Sequence, residues 1–421
     1  MRTIYKLLRS LKWTCSKYLY IHTLKNRINR VRRKKNIRVL FAVAETATWK
    51  NDCLYRTMLE HPRFTPFILI LPDEQKEASL SKEEVDACFD FFSRKGYTCS
   101  YPYQNGKLIN IRNALKPDII FYQKPYKAYP RNLLYYKNMS ALFCYTNYAF
   151  HSLLVDWANE NDFFKLMWQN YYENTSAYTD LRRKFPDVSS NVVVTGLPVA
   201  DLFLDEKHKD KWKKTDEKRK RIIWAPHFSI SDDGGLSYST FLSIAEGMLE
   251  FIKTTRLPIQ IAFKPHPLLK SELYTYPSWG KEKTDHYYSA WESLSNAQLE
   301  TGEYVDLFMS SDAMIHDCGS FTIEYHYTLK PVLYLVNGKE HTKMMNTFAR
   351  EAYDLHYKGK NMQDIRHFIE NVVLEDSDYL LEKRKCFFES YLLPPHHQSA
   401  TENIIQAILG TGYYAEKNGT I

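Results

Sequence analysis

Residues 306–335 read DLFMSSDAMIHDCGSFTIEYHYTLKPVLYL, and this stretch sets the fold class. Its first part is helical and ends near Ser310-Ser311. Ala313-Met314-Ile315 is a short apolar run, as a parallel strand buried on both faces requires. Asp317-Cys318-Gly319-Ser320 is a turn. Thr322 to Leu329 returns to helix, and Pro331 ends it before a second strand, Val332 to Leu335. A helix that starts directly after a strand points unpaired N–H groups and a partial positive charge at whatever sits above the sheet. Phosphate is the common guest there. Gly319 allows close approach of the backbone, and the hydroxyls of Ser320 and Thr322 add hydrogen bonds. The plainer reading is an ordinary strand-to-helix turn capped by Ser320.

Strand and helix alternate on both sides of this stretch. Upstream in the second half, Ile222 to Ala225 and Ile259 to Phe263 read as strands, with a helix over Thr240 to Thr254 between them. The first half has strands at Ile37 to Ala44, Thr65 to Leu71, Asp118 to Tyr122, Ala141 to Tyr145 and Asn191 to Thr195. Helices are expected over Trp49 to Glu60 and from Ser81 to about Lys95, the second opened by a Ser81/Glu84 capping box. Such alternation predicts parallel sheets covered on both faces. Glu206 to Arg221, EKHKDKWKKTDEKRKR, is almost wholly charged and divides the two runs. The fold class is therefore α/β, with two Rossmann-like domains facing a cleft. Residues 1–36 form a basic amphipathic segment, 37–205 a first domain, 206–221 a charged linker, 222–395 a second domain, and 396–421 a C-terminal helix and tail.

The chain has 421 residues and is 44% hydrophobic, enough for two cores of ordinary size. Its net charge of +8 is local. Thirteen Lys and Arg fall in residues 1–38, before the first acid, Glu45; the rest of the chain carries more acids than bases. Ile4, Leu7, Leu8 and Leu11 recur at helical spacing, joined by Trp13, Tyr18, Ile21, Leu24 and Ile28, with Lys and Arg between them. That pattern suits an anionic membrane surface. No aromatic-stacking or nucleic-acid-binding motif follows it, which argues against a nucleic-acid partner. No run is long and apolar enough to span a bilayer, and charges interrupt any secretory signal. Seven scattered Cys without a C-x-x-C pair point to a reducing compartment and away from disulfides or zinc.

Ligands of open parallel sheets bind beyond the carboxyl ends of the strands, so the residues that follow strands carry the functional reading. Three histidines do so in the second half: His227 after Trp224-Ala225-Pro226, His266 in Phe263-Lys264-Pro265-His266-Pro267, and His316 before the glycine turn. Lys264 and His266 together suit a phosphate. In the first half His151 follows the strand ending at Tyr145, and its imidazole suits a general base near neutral pH; a hydrogen-bonded surface histidine is the plainer reading. Glu45, at the exit of the first strand, is a weaker acceptor-binding candidate. Walker lysine, G-x-S-x-G and H-E-x-x-H motifs are absent, as is a G-x-G-x-x-G after the first strand, which argues against P-loop NTPase, α/β-hydrolase, zinc-protease and classical dehydrogenase readings.

Across roughly residues 140–340 the chain resembles the CDP-glycerol glycerophosphotransferases, the teichoic acid primases and polymerases. The resemblance rests on Thr195-Gly196-Leu197-Pro198, Ala225-Pro226, Lys264-Pro265-His266-Pro267, Ser311-Asp312 leading into Asp317-Cys318-Gly319-Ser320, and Lys330-Pro331, in that order. It implies a GT-B fold and a metal-independent transfer without cofactor, the CDP-activated donor being the substrate. It also implies a peripheral enzyme on the cytoplasmic face of the cell membrane, acting on a lipid-linked glycan. By family position His266 lies at the nucleotide pyrophosphate and His151 serves as base; on the strand-end reading above, Lys264, His227, Asp317, Gly319, Ser320 and Thr322 are the expected nucleotide- and phosphate-binding residues. Three departures stand out. Ser152 follows His151 where the family has glycine, Cys318-Gly319 replaces Tyr-Ser, and His227-Phe228-Ser229 replaces Thr-Trp-Arg. The expected reaction is transfer of a polyol phosphate, glycerol phosphate first, with release of CMP. The alternatives are a GT-B glycosyltransferase for a capsule or surface polysaccharide, and a non-catalytic membrane-bound scaffold.

Overall fold

The computed structural model describes residues 2–72, 78–125, 133, 137–156, 162–231 and 237–415, with side chains from Thr14 in the first helix and from Lys82 in the helix Ala78–Arg94. The chain forms two compact units. One comprises residues 1–149, 154–201 and 394–421; the other comprises 150–153 and 202–393.

The first unit is built on seven parallel strands: β1 (Ile37–Val43), β2 (Phe64–Ile70), β3 (Cys99–Ser100), β4 (Ile119–Tyr122), β5 (Leu142–Thr146), β6 (Gln169–Tyr172) and β7 (Val192–Val194). Their order is β3-β2-β1-β4-β5-β6-β7. Apolar runs in β1, β2, β4 and β5 bury both faces, as a covered parallel sheet requires. Val31 and the partly buried Leu24 and Ile28 of the N-terminal helix Arg2–Arg32 pack on this core, as do Ile404, Ile405 and Ile408 of the C-terminal helix Ala400–Leu409. The terminal segment from Pro394 thus completes the first unit. Gly196 marks where it passes: its φ is +80°, and a Cβ there would lie 2.9 Å from Pro394 and Ala400. This accounts structurally for the Gly-x-Pro turn.

The second unit holds β8 (Lys220–Ala225), β9 (Ile259–Phe263), β10 (Ala297–Leu299), β11 (Ala313–His316), β12 (Val332–Leu335) and β13 (Tyr357–Gly359). All are parallel, in the order β10-β9-β8-β11-β12-β13. Trp224, Phe241, Phe263 and Trp291 lie at the centre of its core. Trp224 stacks on Phe263 at 5.0 Å between ring centroids.

Three local expectations change. The helix containing Ser81 starts at Ala78, so Ser81 lies inside it and does not cap it. The charged stretch 206–221 is packed along the second unit. Trp212 is buried, Gln298 accepts the Lys213 N–H at 2.7 Å and donates to the Lys211 carbonyl at 3.0 Å, and Asp306 accepts the Lys209 N–H at 3.2 Å. The helix after the glycine turn is one α-turn, Phe321–Glu324, tightening to a 3-10 turn over Tyr325–Thr328 and ending at Leu329 with φ 59°.

Candidate active site

In the second unit the strand order reverses between β8 and β11. The chain leaves the carboxyl ends of these strands in opposite directions and opens a crevice, the usual binding point of such a sheet. Ala225-Pro226-His227 follows β8, Lys264-Pro265-His266 follows the adjacent β9, and Asp317-Cys318-Gly319-Ser320 follows β11.

Asp317 ties these ends together. It is fully buried. Its carboxylate accepts the His227 N–H at 2.6 Å, the Thr240 N–H at 2.6 Å and the Thr240 hydroxyl at 2.8 Å. Burial raises its pKa to about 6 despite these donors. Both oxygens are occupied within the protein, so Asp317 fixes the mouth of the site and does not face a phosphate. Thr322 is also internal, donating its hydroxyl to the Cys318 carbonyl at 3.0 Å. Gly319 and Ser320 are partly exposed. Among the described residues their N–H groups meet no acceptor, and the helix that begins at Phe321 has further N–H groups without intrahelical partners. Gly319 has no left-handed φ; a Cβ there would make ordinary contact with the Tyr238 ring at 3.6 Å.

Hydrogen bonds set the states of two histidines. The His227 Nδ1 accepts the Ser229 N–H at 3.2 Å and lies 2.7 Å from the Ser229 hydroxyl. The Ser229 oxygen itself accepts the Tyr238 N–H, so its own proton points to the imidazole. Burial, with His266 and His341 nearby, lowers the His227 pKa to about 3. His227 is therefore neutral, with its proton on Nε2. The His266 Nδ1 accepts the Leu268 N–H at 3.2 Å, which leaves a proton on Nε2 here too. The two rings are 5.1 Å apart, and Phe228 packs 4.5 Å from each. Two imidazole N–H donors thus stand side by side next to the turn. Lys264 is buried and donates to the Gly302 carbonyl at 2.9 Å, with the Tyr304 ring 5.8 Å away.

Two site residues carried no signal in the sequence. Tyr238 stands over Gly319, 5.2 Å from the His227 ring, and His341 packs 4.3 Å from Tyr238. They lie in the loops after β8 and β12, well beyond the strand ends, and neither belongs to a motif. Only the fold delivers them.

His316 is internal. Its Nδ1 accepts the Cys318 N–H at 3.1 Å, and its Nε2 lies 3.1 Å from the Nε2 of His356. The Nδ1 of His356 faces the Ala352 carbonyl at 2.8 Å, so it must carry a proton. The polarity follows: His316 Nε2–H donates to His356 Nε2, and His356 Nδ1–H donates to Ala352. His326 Nε2–H meets the same carbonyl at 2.9 Å. Among the described residues no group of three or more His, Cys, Asp or Glu side chains is arranged to hold a metal ion.

His151 lies in the short segment 150–153 that belongs to the second unit. Leu153 bridges antiparallel to Met345. Asn346 donates its side-chain N–H to the His151 carbonyl at 2.5 Å and its backbone N–H to the Ser152 carbonyl at 3.0 Å. In the first unit Glu45 pairs with Lys124 at 2.5 Å.

Two Rossmann-like units with parallel sheets, one carrying imidazoles and a glycine turn at its switch point, define an α/β protein of the GT-B class. The chain belongs to the CDP-Glycerol:Poly(glycerophosphate) glycerophosphotransferase family, whose model matches residues 158–410. It is 23% identical over 256 residues to the teichoic acid ribitol-phosphate polymerase TarL of Staphylococcus aureus (strain NCTC 8325 / PS 47), a match covering 58% of this chain and 42% of that one. It is likewise 23% identical over 236 residues to the ribitol-phosphate polymerase TarK of the same strain, covering 53% and 43%. The matched stretch is thus less than half the length of either relative. The wall teichoic acid polymerase TagF has a similar structure, with TM-score 0.54 and 13% identity over 94% of this chain and 98% of that one. An S. aureus MnaA–UDP structure gives TM-score 0.56 and 13% identity over 88% and 96%. At such identity these two likenesses concern the fold.

Proposed function

We propose that the chain transfers a polyol phosphate, glycerol phosphate first, from a CDP-activated donor to a hydroxyl of a membrane-linked glycan, in cell-surface polymer synthesis. The observation that carries this reading is the convergence of His227, His266 and the Gly319-Ser320 backbone at the switch point of the second unit, within the stretch that matches the family. In the reaction the acceptor oxygen forms a bond to the β-phosphorus, and the bond from that phosphorus to the bridging oxygen breaks. CMP leaves with the electron pair. His151 takes the acceptor proton. The Nε2–H groups of His266 and His227, with the N–H groups of Gly319 and Ser320, receive the charge that develops on the pyrophosphate. Lys264 contributes positive charge beneath them. Asp317 and Thr322 hold the turn in place.

The experiment offers CDP-glycerol, CDP-ribitol and a panel of nucleotide sugars, with a lipid-linked glycan extract, to the purified protein. CMP and a new phosphodiester are expected from a CDP-polyol. His266→Ala should lower that rate by roughly 10²–10³-fold, the loss typical when one transition-state donor is removed. Full turnover by His266→Ala would end the assignment. Release of nucleotide solely from a sugar donor, with a glycosidic product, would make the chain a glycosyltransferase on the same fold.

The N-terminal helix supports docking at the cytoplasmic membrane face. No helix among the described residues is long and apolar enough to cross a membrane. Tyr20 and Val31 are buried, whereas Tyr18, Leu19 and Ile21 are exposed and Lys25, Arg30, Arg33 and Lys35 lie open to solvent. Apolar and basic groups together on a helix suit anionic lipid. Replacing Lys25 and Lys35 with Gln should weaken sedimentation with phosphatidylglycerol vesicles by roughly 10-fold or more, at about 1 kcal/mol per residue. Equal sedimentation of the variant would remove the docking role.

A further inference from the structure

We propose that Asn346 is a positioning residue that holds the proposed base, His151, on the donor-binding unit. The proposal rests on the reading of His151 given above. Segment 150–153 is continuous on both sides with polypeptide of the first unit, yet it belongs to the second. Phe150 packs 5.9 Å from Tyr327 and 6.4 Å from Phe348. Leu153 bridges to Met345. Between these anchors Asn346 grips the backbone of His151 and Ser152 through two N–H donors, at 2.5 and 3.0 Å. Its remaining side-chain atom, Oδ1, accepts the Ala349 N–H at 2.8 Å and caps the helix Thr347–Asp354. Asn346 is buried. An asparagine is the side chain that can perform both tasks at once, because the cap needs an acceptor and the carbonyl of His151 needs a donor.

The consequence is that the proposed base and the proposed donor site share one unit. The same helix ends in the Ala352 carbonyl, which receives protons from His356 and His326; His356 in turn holds His316, and His316 holds the Cys318 N–H of the glycine turn. Buried contacts therefore connect the backbone of His151 to the turn without passing through the first unit.

Asn346→Asp separates the two tasks. The aspartate still accepts the Ala349 N–H and keeps the helix cap, but it has no proton for the His151 carbonyl. We expect kcat to fall roughly 10- to 100-fold, as for a small displacement of a reacting group, with the KM for the CDP-donor within about twofold of the parent; the buried carboxylate and the unsatisfied His151 carbonyl lower the unfolding midpoint as well, so the split between kcat and KM is the readout. Asn346→Ser, a shorter cap that does not reach His151, should behave alike if the aspartate variant fails to fold. The double variant Asn346→Asp/His151→Ala should be no slower than His151→Ala alone, since Asn346 acts through His151. Parental kcat in both single variants, or additive losses in the double variant, would overturn the proposal while leaving the transferase reading intact. A parent protein that transfers from no CDP-polyol would overturn that reading, and this proposal with it.

Discussion

His151→Ala is expected to lower kcat for polyol-phosphate transfer by about 10²–10⁴-fold, the range for loss of a positioned general base, with little change in the KM for the donor. The backbone of His151 is fixed at both ends of a four-residue segment, by the Phe150 ring packing and by the Leu153 bridge, and in the middle by Asn346. A restrained backbone narrows the positions that the imidazole can reach, which favours proton transfer in the transition state. The groups proposed to hold the donor are other residues: His227, His266 and the Gly319-Ser320 backbone. Removing the imidazole should therefore spare ground-state binding of the nucleotide. Steady-state kinetics with CDP-polyol varied at saturating acceptor separates the two parameters. An alanine variant with parental kcat would transfer the base role elsewhere. A raised KM at constant kcat would make His151 a binding residue.

The second unit should lose stability steeply as the pH falls from 6.5 to 5. His227, His316 and His326 have pKa values lowered to about 3, and His356 lies well below the ordinary histidine value, burial being the first cause in each. Lys358, close to the three internal histidines, is itself pushed down to about 7, so it is charged throughout this range and further opposes their protonation. The sign follows from which state binds protons. Below pH 6.5 the unfolded chain protonates four histidines that the folded unit keeps neutral, so stability rises with pH and is lost on acidification. Asp317 acts in the opposite direction. Its raised pKa means that the folded state binds the extra proton between pH 3.8 and about 6. Four histidines against one carboxyl leave a net uptake of about three protons on unfolding near pH 5, a slope on the order of 4 kcal/mol per pH unit. That exceeds the whole stability of an ordinary domain within a few pH units. Urea unfolding at pH 7.5, 6.0 and 5.0, followed by near-UV circular dichroism, measures it. A midpoint that does not move between pH 7.5 and 5.0 would mean that these imidazoles are charged in the folded protein.

Much of this was readable before folding was considered. The apolar runs Ile37–Val43, Phe64–Ile70, Ile222–Ala225, Ile259–Phe263 and Ala313–Ile315 announce buried parallel strands because such strands admit little else on either face. The residues following them, Lys264, His266 and the Asp317–Ser320 turn, were legible for the same reason, since the carboxyl ends of a parallel sheet are where its free backbone groups and loops collect. β6, Gln169–Tyr172, was missed because it reads as polar. Its Gln169 is satisfied only by the distant Ala407 carbonyl at 3.0 Å and by the Tyr171 hydroxyl at 2.5 Å. The helix Gly280–Ser293 was missed because charges hide the Tyr287, Tyr288 and Trp291 that it buries.

Sequence alone determined the α/β class, the doubling of the Rossmann-like unit and the strand ends that form the candidate site, because hydrophobic periodicity and glycine turns are local properties. Tertiary structure decided the rest. It put Asp317 and Thr322 inside the turn and not on its face, brought Tyr238 and His341 to the mouth of the site, and moved segment 150–153 onto the second unit. Thr322 finds its partner four positions away in Cys318, but the others depend on a hydrogen bond or a packing contact between residues tens to hundreds of positions apart. Asp317 reaching Thr240 and Asn346 reaching His151 are such pairs. A one-dimensional pattern records which groups need partners, and only the folded chain determines which partner each one finds.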